Sequence, residues 1–208
     1  MTSKTDIKIS PNYFASKWNG LDLTTKDSAD WQTAIDIFED RINGRFFNQV
    51  DELTSNKNSK VRAFSGFVII AIDCLLIETL EQFYRGIKRT GKDQDDQIFH
   101  DFFQRSGELK SFFDNLDKSK IFYSQIRCGI LHQAQTKKQS IIHLKSGTST
   151  LSWINKGDFQ KGISINRNKF HNSIKKVFSQ YLFDLRKGKD LNLRNKMKRK
   201  MNFIATQS

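Results

Sequence analysis

The sequence predicts a mainly α protein, a helical bundle carrying a small antiparallel β insertion near residues 140–167. Three observations lead there. Apolar residues recur every three or four positions over long stretches, as one face of a helix requires. Proline occurs once, at Pro11, so little interrupts long helices. The helical period gives way to alternation only after Ser140.

Taken in order, residues 1–29 read as an irregular N-terminal arm with scattered aromatics (Tyr13, Phe14, Trp18). Ser28 and Asp30 can cap a helix from about Asp30 to Leu53, with Trp31, Ala34, Ile35, Phe38, Ile42, Phe46 and Val50 on one face. A polar connector (54–60) leads to a second helix from about Val61 to Arg89, apolar nearly all round between Phe67 and Leu80. Such a helix belongs in the middle of a domain. The loop 91–96 precedes two short helices, near Asp95–Ser106 and Glu108–Leu116. A longer helix follows, from about Lys118 to Gln135, with Phe122, Tyr123, Ile126, Ile130 and Leu131. SIIHLKSG, TLSWINKG and GISINRN read as short strands. A last helix, about Asn168–Leu185, carries Phe170, Ile174, Val177, Phe178, Tyr181, Leu182 and Leu185 on one face. The helical domain therefore spans 30–185, and 186–208 is a basic C-terminal tail.

Composition narrows the partners. The chain has 208 residues, with 35 basic against 22 acidic side chains and a formal charge of +13. A surface this basic attracts polyanions. The tail alone sets Arg186, Lys187, Lys189, Arg194, Lys196, Lys198, Arg199 and Lys200 against Asp190. That density suits sequence-independent phosphate contacts, and we assign Arg194, Lys196, Lys198, Arg199 and Lys200 as substrate-binding residues. Cys74 and Cys128 sit among apolar neighbours, in no metal-binding spacing. They read as buried free thiols of a reducing, cytoplasmic setting. No cofactor or metal is called for. The window Phe67–Leu80 is interrupted by Asp73 and Glu78 and is too short to span a bilayer, so no membrane role is expected.

Two features carry chemistry. Glu78 shares a helical stripe with Phe67, Ala71, Cys74 and Leu75, so a basic partner should meet it where that helix packs. Asp73 faces another way and reads as a hydrogen-bond acceptor toward a neighbouring helix. The second feature is Arg127 and His132, five residues apart in an otherwise apolar helix. On a straight helix five steps turn the two side chains about 140° apart. Contact then needs a bend at Gly129, a second subunit, or both. His100, His143 and His171 form no metal-ligand spacing and read as structural or surface residues.

Arg127-Cys-Gly-Ile-Leu-His132 resembles the R-x(4–6)-H motif of HEPN domains, helical bundles common in bacterial toxins, phage-defence proteins and RNA-processing systems. The resemblance covers residues 30–136 and the returning helix at 168–185. It implies a metal-independent endoribonuclease acting as a homodimer, with RNA as substrate and an antitoxin or defence-system protein as partner. Family members often add an acid from an earlier helix, a position Glu78 matches. Cys128 stands where many active members have a polar residue. The residue types suit the chemistry. Histidine moves protons near neutrality, arginine presents a fixed pair of donors to phosphate oxygens, and Glu78 would orient either. A non-catalytic HEPN-like module that binds RNA or a partner fits the same residues.

Overall fold

The helical period of the sequence becomes a run of eleven α-helices among the described residues, and the alternating stretch becomes three strands. The computed structural model describes residues 6–26, 28–91, 94–156 and 159–206. Residues 1–5 and 27 of the expected arm, 92–93 of the expected loop, 157–158 between two strands and 207–208 of the tail lie outside them. In chain order the elements are α1 (Ala15–Asn19), α2 (Asp30–Ile42), α3 (Asn48–Ser55), α4 (Ser59–Phe64), α5 (Gly66–Arg85), α6 (Asp95–Phe103), α7 (Gly107–Phe112), α8 (Leu116–Phe122) and α9 (Cys128–Gln133), then β1 (Ile141–His143), β2 (Leu151–Lys156), β3 (Phe159–Asn166), α10 (Arg167–Lys187) and α11 (Leu191–Ala205). Widened π-helical turns join α2 to α3 (Asn43–Phe47) and α8 to α9 (Tyr123–Arg127).

The first of these turns changes the expected core. An α-helical step from Ile42 lands on Phe46, the sequence expectation. The wider turn adds one residue, so Phe47 is buried in its place, and the stripe resumes at Val50. Trp31, Ala34, Ile35 and Phe38 are buried as expected.

The chain divides into two compact units. One comprises Met1–Gln49, Gln82–Arg89 and Phe178–Ser208. Its core centres on Phe38, whose ring lies 4.4 Å from Phe83 and 5.6 Å from both Phe178 and Tyr181. The expected tail is part of this unit. Residues 191–205 form a docked helix that buries Met197, Met201 and Ala205, with Asp190 as its N-cap accepting from the Leu193 amide. The Trp18 indole N–H donates to Asn202 at 2.8 Å, tying the N-terminal arm to the same helix.

The other unit comprises Val50–Glu81 and Thr90–Val177. Phe99, Phe102, Phe103, Phe113 and Phe122 are fully buried there, with Phe103 and Phe113 stacked at 4.0 Å. Glu81, without exposed surface, receives two hydrogen bonds from Arg105 at 2.6 and 2.8 Å. The β insertion is present, in the order β1-β3-β2. β2 pairs with β3 antiparallel, as expected. β1 pairs with β3 in parallel, with Ile141 opposite Ser164, which corrects the all-antiparallel expectation. Alternation reveals that a segment is a strand but says nothing of its direction. Here Gly162 lets the chain approach closely: a Cβ on it would lie 2.6 Å from the Ser140 nitrogen.

Candidate functional site

The motif residues sit on the segment built from α8, the widened turn and α9. That segment keeps Phe122, Ile126 and Ile130 buried, four residues apart, while Leu131 is exposed. Inside the widened turn the Gln125 carbonyl accepts the Lys137 amide at 2.9 Å. The buried Gln125 side chain accepts from the Ser140 hydroxyl at 2.8 Å, and that same hydroxyl accepts the Ile163 amide at 3.0 Å. The sheet is thereby tied directly to the motif helix.

Arg127 closes the widened turn and is partly exposed; His132, in the last turn of α9, is exposed. Arg127 Nη1 lies 3.5 Å from His132 Nε2 within the one chain. This corrects the expectation that contact needs a bend or a second subunit. The arginine side chain is long enough to span the angular gap, and α9 ends just beyond, where Ala134 turns left-handed at φ 52°. Gly129 is not a hinge. Its carbonyl accepts the Gln135 amide at 3.3 Å, and a Cβ on it would meet the Gln135 carbonyl oxygen at 2.5 Å. That oxygen and the Lys137 nitrogen, at 3.2 Å, are both backbone, so Gly129→Ala is expected to cost about 1–3 kcal/mol, read as a lower urea midpoint at unchanged slope.

The basic partner expected for Glu78 is Arg127, at 3.8 Å between Oε2 and Nη2. The stripe that Glu78 shares is not buried throughout. Cys74 is buried, but Phe67 and Leu75 are substantially exposed, so Glu78 lies at the margin of the packed face. The Thr90 hydroxyl donates to its other oxygen at 3.1 Å. The sequence reading missed Thr90, Tyr123 and Asp95. The Arg127 guanidinium stands 5.3 Å from the centre of the Tyr123 ring, and the Tyr123 hydroxyl donates to Asp95 at 2.8 Å. The spacing of Tyr123 and Arg127, four residues apart, was the signal that could have found the pair.

Burial works against the Arg127 charge, but its acidic neighbours, the Glu78 carboxylate among them, outweigh burial and hold the guanidinium more firmly protonated than usual. Burial, and then the hydrogen bond to Asp95, push the Tyr123 phenol upward, so it stays a donor. Burial also pushes the Cys74 thiol well up, which makes it an inert buried thiol as expected. Cys128 is a free thiol too, but it is partly exposed rather than buried. A guanidinium has donors only, so a hydrogen bond between the two side chains would have Arg127 as donor and His132 Nε2 as acceptor.

The remaining sequence-assigned residues lie elsewhere. Arg194 is buried, donating to the Leu185 and Lys26 carbonyls and lying over the Trp31 ring at 5.1 Å. Lys200, also buried, donates to Gln82 and to the Lys88 carbonyl, and Lys198 donates to the Leu23 carbonyl. These hydrogen bonds tie all three cations to backbone or side-chain acceptors of their own unit. Lys196 is partly exposed and Arg199 exposed. Asp73 and His171 are both buried and share a hydrogen bond of 2.6 Å. His100 lies 3.0 Å from the Ser119 hydroxyl, and His143 accepts the Lys145 amide at 3.1 Å. Among the described residues, no three His, Cys, Asp or Glu side chains cluster to hold a metal ion. No helix among them is long and apolar enough to cross a membrane. In comparisons with known proteins, no family model, no curated protein and no solved structure matches the chain.

Proposed function

We propose that this protein is a metal-independent endoribonuclease of HEPN type, the effector of a toxin–antitoxin or phage-defence system, working as a homodimer. The supporting observation is the Glu78–Arg127–His132 cluster, an exposed histidine and a part-exposed, firmly charged arginine side by side in a strongly basic chain. In the proposed reaction His132 removes the proton from a ribose 2′-hydroxyl. The 2′-oxygen bonds to the adjacent phosphorus, and Arg127 stabilises the charge on the phosphate oxygens. The P–O5′ bond then breaks, and the departing oxygen takes a proton from a protonated histidine. In a homodimer two copies of the cluster would supply one base and one acid. Glu78 and Tyr123 orient the guanidinium.

Purified protein is expected to cut single-stranded RNA in excess EDTA, leaving 2′,3′-cyclic phosphate and 5′-hydroxyl ends, as read by end-labelling and mass spectrometry. Abolition of cleavage by EDTA, or 3′-hydroxyl products, would sink this reading.

A further inference from the structure

A second candidate site lies in the same unit, built by residues that the reaction above does not use. Two adjoining grooves share Glu108, Ser149 and Thr150. One, of about 270 Å³, continues along Phe112; the other, of about 420 Å³, continues along Lys169, Asn172, Ser173 and Lys176 of α10. These volumes suit small-ligand subsites.

A fixed carboxylate lines both grooves. Glu108 Oε1 accepts from the Thr150 hydroxyl, and Oε2 accepts from the Ser173 hydroxyl at 2.7 Å. Each oxygen therefore keeps a further lone pair, and the residue itself is exposed. Burial opposes its charge, but the two hydroxyls, Lys176 and Lys169 prevail and hold it below the usual carboxylate range. Lys169 is kept at the rim by its hydrogen bond to the Thr148 carbonyl at 2.5 Å. At the other end Phe112 is only partly covered and stacks on Trp153, with centroids 4.5 Å apart and planes 6° from parallel.

A pre-oriented acceptor pair, an aromatic face and two cations in one open groove match three parts of a nucleotide. We propose that this groove binds a guanine nucleotide within single-stranded RNA, with the base edge on Glu108, the base face against Phe112 and the phosphate between Lys169 and Lys176. Guanine places two N–H donors side by side on one edge, as a carboxylate requires. Adenine and the pyrimidines do not. Aromatic stacking holds a base of any kind, and the lysines hold the backbone of any sequence, so Glu108 is the specificity residue. Single-stranded RNA as the source of the nucleotide rests on the ribonuclease reading; the chemistry of the groove does not.

The test uses full-length protein carrying His132→Ala, so that binding is read without cleavage. Labelled hexamers of adenosine with one central guanosine, inosine or adenosine are titrated by fluorescence anisotropy. The guanosine hexamer is expected to bind about tenfold or more tightly than the inosine one, which lacks the second donor. Glu108→Gln should erase that preference. Because Glu108 also ties Thr150 and Ser173, Lys176→Ala serves as an independent variant. It should weaken all three hexamers alike and lower the salt slope by about 0.7. Equal affinity for all three hexamers, a preference that survives Glu108→Gln, or a Lys176→Ala salt slope unchanged from that of its parent overturns the proposal. Guanosine preference in a protein that never cleaves RNA would leave the groove standing and sink the ribonuclease reading instead.

Discussion

His132→Ala is expected to slow RNA cleavage about 10²–10⁴-fold, the usual contribution of a general acid–base group, while leaving the protein folded. The imidazole is exposed, so its removal should change stability by no more than about 0.5 kcal/mol. Arg127→Ala should be at least as damaging to the rate. Arg127→Lys should recover little, because an ammonium keeps the charge but not the planar pair of donors that fits a phosphate. Single-turnover cleavage with a defined RNA, alongside thermal unfolding of each variant, separates the roles. Normal cleavage by His132→Ala would end the proposed mechanism. Loss of several kcal/mol of stability on the same substitution would mark the pair as structural.

The largest stability effect belongs to a different pair. His171→Ala is expected to cost about 3–5 kcal/mol, because it strands a buried carboxylate. Asp73 has no exposed surface, and among the described residues His171 is its sole side-chain hydrogen-bond partner. Asp73→Asn keeps an acceptor for His171 and removes the ionisable group, so it should be far milder. It should also change the pH dependence. Burial raises the Asp73 carboxyl to about 6, and the hydrogen bond and charge of His171 only partly offset this. A carboxyl whose folded pKa lies above its unfolded value binds its proton more tightly when folded. Its contribution to stability is present at low pH, is lost as pH climbs from about 4 toward 6, and is gone above that. Wild type should therefore lose stability relative to Asp73→Asn across that window. Urea denaturation of both proteins between pH 4 and pH 8 would show this, and parallel curves would refute it.

Much of this protein was legible in its sequence because the signals were local. The stripe from Trp31 to Ile42 predicts its own buried face, and Phe170 to Leu185 does the same within α10. The change from helical period to alternation marks the sheet, and the Arg127–His132 spacing marks the candidate site. The tertiary structure decided what depends on distant partners or on small departures from ideal helices. One extra residue in a widened turn exchanges Phe46 for Phe47, a shift that a fixed period cannot foresee. Asp73 and His171 are 98 positions apart, and nothing local tells either that the other will be its partner. The direction of β1 and the docking of α11 through Arg194 and Lys200 are likewise matters of what meets what in space. Periodicity and spacing specify which face of an element is apolar and which groups could react. The contacts that satisfy buried charge, and that bring Glu78 to Arg127, exist only once the chain has closed on itself.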